Sequence, residues 1–177
     1  IKVKRKTTAG YHFVLVGKQS QFIKSAFSSI WSMITGKGIG FNIAGKLKAG
    51  VSFLDVSTGE FFLAQGSIEY IDKLLQSFSP SEILFQKNKK KQFIEHFGER
   101  YYIYGLDDWA FGEEFGNDLL VKHFGTKSLK GFGIENQQQG IIAAGAALHY
   151  LAETQHDKVK HITAIARIEE EKYVWLD

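Results

Sequence analysis

The chain has 177 residues, of which 44% are hydrophobic and 14% aromatic, with no cysteine and a formal net charge of +3. This length and composition suit one globular domain with a proper core. The lack of cysteine excludes disulfides and thiolate metal sites and fits a cytoplasmic origin. No run of about 18 apolar residues occurs, so we expect no membrane span. The mild positive charge permits contact with nucleic acid without arguing for it.

The first part of the chain, residues 1–37, is predicted as a lead segment whose structure the sequence leaves open. Within it, "YHFVLVG" alternates like a strand, and "SQFIKSAFSSIWSMI" has the apolar spacing of an amphipathic helix that ends at Gly36. The chain lacks an initiator methionine and stops on "YVWLD", where a strand is expected to begin. We therefore expect a piece of a larger protein.

From Gly38 onward, three short strands are predicted, "IGFNIA", "GVSFLDVS" and "GEFFLAQG", joined by glycine turns. Connections this short allow only antiparallel pairing. The first strand is placed at residues 39–44.

Helices and strands alternate after these three strands. "SIEYIDKLLQSF" is predicted as a helix capped by Ser67, and "EILF" as a strand after Pro80. A second helix ends at Gly98, "RYYIYGL" is a strand, and a third helix lies between Asp108, a possible cap, and Gly125. The longest helix runs from about residue 136 to 155.

This order predicts an α/β fold with a mixed five-stranded sheet: three antiparallel strands, then alternating helices and strands, with helices on both faces. It is the element order of the ribonuclease-H-like fold.

A phosphate-binding loop is suggested by "GIGFNIAGKLKAG", because Gly40, Gly45 and Lys46 give the spacing Gly-x-x-x-x-Gly-Lys. The next residue, Leu47, has no hydroxyl for Mg²⁺, and a strand follows where a helix is needed. We interpret the stretch as a glycine-rich turn.

Two constellations bear on chemistry. Nucleases of the ribonuclease-H type hold two metal ions with carboxylates, and Asp55, Glu60 and Asp118 are the candidates for such a cluster. The competing interpretation of Asp55, followed by "VSTG", is a carboxylate that accepts hydrogen bonds from turn N–H groups. None of the six histidines has the His-x-x-x-His spacing of a zinc site. No catalytic, cofactor or metal residue is therefore assigned.

A run of lysines offers a separate interpretation, as a phosphate contact. Lys89, Lys90 and Lys91, with Lys87 nearby, are the candidate nucleic-acid contacts. Such runs are more often a solvated helix start. The neighbouring Tyr101, Tyr102 and Tyr104 have the period of a strand and are expected in the core and at its rim.

Several longer strings, taken in order, resemble the MutS family of DNA mismatch-repair proteins. They are "GVSFLDVSTGEF", "SPSEILF", "FGTKSLKGFGIENQQQGIIAAGAALHYLAETQ" and "HITAIARIEEEKYVWLD", and the likeness covers about residues 46–177. The stretch "KTTAGYHFVLVGKQSQFIKSAFSSIWSMI" departs from the extended "LVTPG"-like sequence usual in the family, which leaves the placement of the first strand open.

The resemblance implies a division of the chain and a function. Residues 38–158 look like the MutS connector domain, which is ribonuclease-H-like in that family, and 159–177 like the beginning of the core or lever domain. It implies a non-enzymatic linker that joins the mismatch-binding domain to the lever and ATPase domains and helps to recruit MutL. It also implies that the full-length protein is a homodimer that binds mismatched double-stranded DNA, and ATP with Mg²⁺ through a different domain. The alternative is a ribonuclease-H-type metal-dependent nuclease.

Overall fold

A computed structural model describes residues 11–17, 49–154 and 159–168 of the chain. The described residues form a mixed α/β structure around one six-stranded sheet. Its strands are β1 (Tyr11–Gly17), β2 (Ala49–Asp55), β3 (Phe61–Gly66), β4 (Glu82–Gln86), β5 (Ile103–Leu106) and β6 (Ala166–Arg167). The helices are α1 (Ile68–Phe78), α2 (Lys90–Phe97), α3 (Glu113–Phe124) and α4 (Gln138–Thr154).

The strands lie side by side in the order β5-β4-β1-β2-β3-β6. β2 pairs antiparallel with both β1 and β3, as the short connection between β2 and β3 requires. β4 runs parallel to β1 and β5 runs parallel to β4. Along the chain, α1 lies between β3 and β4, and α2 lies between β4 and β5. β5 and the two-residue β6 are therefore the two edges of the sheet.

Helices cover both faces of the sheet and make two apolar layers. Because successive side chains of a strand point to opposite faces, Leu54 and Leu84 belong to the layer under α3 and α4, whereas Phe53 and Phe85 belong to the layer under α1 and α2. All four side chains are buried. Near-complete burial of β2 on both faces explains why its sequence reads as an almost continuous apolar run.

The helix predicted from "SIEYIDKLLQSF" is confirmed, together with its cap. The Ser67 hydroxyl accepts a hydrogen bond from the Tyr70 N–H at 3.2 Å, which satisfies one of the free N–H groups at the start of α1. Ile71, Leu74 and Leu75 are fully buried, so the three-four spacing correctly located the inner face of the helix.

The second predicted helix is also confirmed: α2 ends at Gly98, which has a φ of 75°. The predicted cap of the third helix is wrong. Asp108 begins a short 3₁₀ helix, Asp108–Phe111. The residue at the cap position of α3 is Gly112, which has no side chain to accept a hydrogen bond. The 3₁₀ helix turns the chain so that Ala110 and Phe111 are buried.

The predicted sheet is partly correct. A mixed α/β fold is confirmed, but the sheet has six strands instead of five, and the strand beside β2 is Tyr11–Gly17. That strand belongs to the segment predicted to lie outside the domain. The strand predicted at residues 39–44 and the helix predicted from "SQFIKSAFSSIWSMI" lie outside the described residues, as do residues 169–177. No helix within the described ranges is long and apolar enough to cross a membrane.

Candidate functional site

The longest helix, α4, lies close against the sheet because of two glycines. A Cβ atom added to Gly50 of β2 would come within 2.1 Å of the backbone carbonyl group of Gln139. A Cβ atom on Gly140 would lie 2.9 Å from Leu63 of β3. Gly50 therefore needs glycine for the observed helix–sheet distance, because the clash is with backbone atoms. At Gly140 the end of the Leu63 side chain would have to shift, and the Ala64 carbonyl oxygen at 3.2 Å leaves little room.

A polar contact fixes the start of the same helix. The Gln65 side chain donates from Nε2 to the Asn136 carbonyl at 3.0 Å and accepts from the Gln139 N–H at 3.0 Å. An N–H group in the first turn of a helix has no partner within the helix. Gln65 therefore ties the start of α4 to the end of β3.

Residues 159–168, called here the exit segment, are docked on the sheet by every third side chain. Ile162, Ile165 and Ile168 are each at most 4% exposed. Ile162 and Ile165 join the layer under α3 and α4, whereas Ile168 joins the opposite layer. The backbone N–H of Ile168 donates to the Leu63 carbonyl at 2.8 Å. The exit segment therefore passes around the β3 edge and contributes to both layers.

Two histidine hydrogen bonds tie the exit segment to the rest of the structure, one from α3 to the segment and one from the segment to the turn after β2. The Nε2 atom of His123 in α3 lies 2.8 Å from the Ile162 carbonyl oxygen. The Nε2 atom of His161 lies 2.9 Å from the Val56 carbonyl oxygen, in the turn after β2. A carbonyl only accepts hydrogen bonds, so both rings donate through Nε2–H. These contacts join residues that are 39 and 105 positions apart in the sequence, so the local sequence pattern does not predict them.

Asp55 organises the turn between β2 and β3, as predicted. Its Oδ1 atom accepts hydrogen bonds from Ser57 N–H at 2.8 Å, Ser57 Oγ–H at 2.6 Å and Thr58 N–H at 3.2 Å. The side chain is fully buried. The Gly59 N–H closes the turn on the Asp55 carbonyl at 2.8 Å, with Gly59 at a φ of 75°. Asp55 thus has the turn-forming role expected of a carboxylate at a strand end.

The carboxylates considered for a metal site do not gather. In the described parts of the chain, no group of three or more His, Asp or Glu side chains is placed to hold a metal ion. Glu60 accepts from the Thr58 hydroxyl at 3.4 Å. Asp118 lies on α3, where it lines a cleft of about 670 Å³ together with Glu113 and Glu114. The interpretation of Asp55, Glu60 and Asp118 as one metal cluster is therefore wrong.

The lysine run begins the α2 region. Lys87 and Lys89 belong to a short 3₁₀ helix, and Lys90 and Lys91 form the first residues of α2. Lys90 and Lys91 are exposed, and Lys89 is half-buried. Contact of these lysines with nucleic acid stays a prediction. Of the glycine-rich stretch considered as a phosphate loop, Gly40, Gly45 and Lys46 lie outside the described residues.

These features define a class: a mixed α/β domain whose longest helix is seated on the sheet by glycines and whose exit segment is docked on both layers. The chain belongs to the MutS domain II family, whose family model matches residues 29–163.

Similar curated proteins agree with this assignment. Proteins named "DNA mismatch repair protein MutS" from Cytophaga hutchinsonii and Flavobacterium johnsoniae are 66% and 59% identical over 128 residues, which is 72% of this chain. The protein of that name from Christiangramia forsetii is 60% identical over 133 residues, or 75% of this chain. Each match covers 15% of the relative's length. The chain thus corresponds to a small part of the curated relatives that it matches.

Proposed function

We propose that this chain is the connector domain of a MutS DNA mismatch-repair protein. In this role it links the mismatch-binding domain to the lever and ATPase domains and helps to recruit MutL. The observation that carries the proposal is the docking of the exit segment through Ile162, Ile165 and Ile168, combined with membership of the MutS domain II family. A linking domain must fix the direction in which the chain leaves it, and this docking does so.

The fold supports the proposal through its strand order. Strands β1 to β3 are antiparallel neighbours, and β4 and β5 extend the other side of β1 in parallel. We propose that this is the ribonuclease-H-like arrangement implied by the resemblance, extended by the short strand β6. The proposed domain limits of 38–158, with 159–177 beginning the next domain, stay predictions.

Rigidity supports the proposal as well. A body that transmits small displacements between other domains has to move as one piece, because packed cores respond to strain by discrete shifts and not by gradual deformation. In this chain α4 packs closely against the sheet at Gly50 and Gly140, and Gln65 fixes its first turn. The exit segment is held from α3 and from the turn after β2. A displacement of the chain at Ile162 would therefore be transmitted to α3 and to the sheet.

We assign no enzymatic step, cofactor or metal to these 177 residues. Mismatched double-stranded DNA, ATP with Mg²⁺ and the homodimer interface are proposed for other parts of the full-length protein, which we place in the cytoplasm.

The test uses the full-length protein that contains this chain. Replacement of Ile162 and Ile165 by aspartate should leave mismatched-DNA binding and ATP hydrolysis measurable. It should uncouple them, so that ATP no longer changes the affinity for a mismatched duplex. The matched control replaces the exposed Lys160 and Thr163 by aspartate, and should retain the coupling. If the isoleucine variant responds to ATP as the control does, the linking role is wrong.

MutL recruitment has its own test. The 177-residue chain should capture the N-terminal region of MutL in a pull-down that an unrelated domain of the same charge does not reproduce. No capture under conditions in which full-length MutS binds MutL would contradict this part of the proposal.

A further inference from the structure

The exposed large hydrophobic side chains of the described residues are all on one short stretch. They are Tyr102, Tyr104 and Trp109, which are 71%, 46% and 58% exposed. Single exposed apolar residues need no explanation, but a group of large aromatic ones marks an interaction surface. Tyr102 and Tyr104 come from the edge strand β5 and the residue before it, and Trp109 from the 3₁₀ helix that follows.

Half-buried aromatic rings lie against two of these three. The Tyr104 ring lies 5.3 Å from that of Tyr150, and the Trp109 ring lies 4.8 Å from His149 and 5.3 Å from Phe115. His149 and Tyr150 are neighbours near the end of α4. We call the set Tyr102, Tyr104, Trp109, Phe115, His149 and Tyr150 the aromatic surface. It runs from the edge of the sheet across α4 to the start of α3.

The surroundings of the aromatic surface are acidic. Residues 101–121 and 131–157 contain none of the chain's 22 Lys and Arg residues. Asp107, Asp108, Glu113 and Glu114 are exposed there. Glu82 lies beside the surface, with its Oε2 atom 3.5 Å from the Tyr150 hydroxyl. Carboxylates thus surround Trp109 and Tyr150, whereas Lys87 lies beside Gly105 of β5. The carboxylate side of the surface disfavours the phosphates of nucleic acid and favours cations.

The geometry of the edge adds a second form of recognition. Among the strands that the structure describes, β5 pairs with β4 alone, so an extended peptide can add to its other side through backbone hydrogen bonds. Among cationic side chains, the arginine guanidinium stacks on aromatic rings and pairs with carboxylates at the same time.

We propose that the aromatic surface is a docking site for an extended, arginine-bearing segment of another protein, which lies along β5 and places guanidinium groups over Trp109 and Tyr104, against the acidic rim. The inference does not rest on the proposed connector role.

The probe is a capped peptide in which arginine alternates with leucine, titrated into the ¹⁵N-labelled 177-residue chain at low salt. Two sister peptides carry lysine or glutamate in place of arginine. The expected result is chemical-shift change at the Trp109 indole N–H and along β5, with affinity in the order arginine, lysine, glutamate. Trp109→Ala should weaken the arginine peptide about fivefold, since cation–π contacts are worth about 1 kcal/mol.

Charge reversal supplies the matched comparison. Asp107→Lys with Glu114→Lys should weaken the arginine peptide at least as much as Trp109→Ala does. Glu95→Lys with Glu99→Lys, the same exchange at exposed positions in and beside α2, should change it little. Equal loss in both pairs would reduce the effect to net charge and overturn the proposal.

Three further outcomes would overturn it. One is a set of shifts that maps away from the aromatic surface. Another is a lysine peptide that binds as well as the arginine peptide. The last is a concentration-dependent shift of Trp109 without peptide, which would assign the surface to a second copy of this chain.

Discussion

Gly145 of α4 packs directly against Gly116 of α3: a Cβ atom added to Gly145 would lie 2.3 Å from the Cα atom of Gly116. Side chains are absent at this crossing, so the two helix backbones meet. A Cβ atom added to Gly116 would lie 3.2 Å from the Ile141 carbonyl oxygen. This glycine pair therefore sets the distance between α3, which carries His123, and α4, which carries His149 and Tyr150 of the aromatic surface.

Gly145→Ala should destabilise the chain. The added methyl group meets backbone atoms, and overpacking of this kind costs about 1–3 kcal/mol or more. The better helix propensity of alanine, about 1 kcal/mol, offsets only part of it. Urea unfolding should give a lower midpoint with an unchanged slope.

Gly131→Ala is the matched control, because an added Cβ at Gly131 meets no atom within 4 Å. It should leave the free energy of unfolding unchanged or slightly higher. If both variants unfold at the same urea concentration, the contact between the two helices is looser than described.

Asp55→Ala should lower the free energy of unfolding by about 1–3 kcal/mol, because the Ser57 and Thr58 N–H groups lose their hydrogen bonds to a buried carboxylate. Asp55→Asn keeps an acceptor oxygen and should cost less, and Ser57→Ala removes only the hydroxyl contact. Thermal unfolding with and without Mg²⁺ or Mn²⁺ adds a check on the metal interpretation. A midpoint raised by either ion in the natural chain, and not in Asp55→Asn, would speak for a metal at this turn.

His161→Ala should loosen the exit segment by removing the hydrogen bond to Val56. A net loss of about 1 kcal/mol corresponds to roughly fivefold faster hydrogen exchange at the Ile168 amide, which reports the contact with Leu63. His123→Ala should act in the same direction at Ile162. His96→Ala, at an exposed position of α2, should leave exchange in the exit segment unchanged. If the Ile162 and Ile168 amides exchange as slowly in all three variants as in the natural chain, the buried isoleucines alone hold the segment.

Tyr150 offers a pH-dependent observable at the aromatic surface. Partial burial, with the negative charge of Glu82 and the neighbouring Tyr104 adding to it, raises the pKa of Tyr150 to about 12. The phenol is therefore still protonated at pH 11, and the stability linked to it is complete below pH 10 and lost as the pH rises towards 12. Glu82→Gln should lower this pKa, as followed by the Tyr150 ring-carbon shift in NMR. An unchanged titration would show that Glu82 does not act on the hydroxyl.

The elements that could be predicted from sequence are those set by neighbouring residues. The start of α1 depends on Ser67, three residues from its hydrogen-bond donor, and the β2–β3 turn depends on Asp55 and Ser57, two residues apart. Such determinants lie within one window of the sequence. The same reasoning named the wrong cap for the third helix, because Asp108 begins a 3₁₀ helix and α3 starts only after Gly112.

Features that depend on topology could not be read in this way. The sequence predicted Tyr102 and Tyr104 in the core and at its rim. Both are exposed, because β5 is an edge of the described sheet, and only the strand order shows this. Tyr11–Gly17 pairs with a strand that begins only at Ala49, and nothing local favours Tyr11–Gly17 over other apolar runs. The histidine contacts to the exit segment likewise join distant positions.

The path of the exit segment around the β3 edge determines where this polypeptide can be divided. A recombinant piece that stops at residue 158 would lose three buried isoleucines, exposing apolar surface on both sides of the sheet and leaving β3 unpaired along its outer side. Such a piece is expected to aggregate through the unpaired edge of β3. The shortest stretch suited to isolated expression therefore continues to Ile168 at least, past residue 163, where the match to the family model ends.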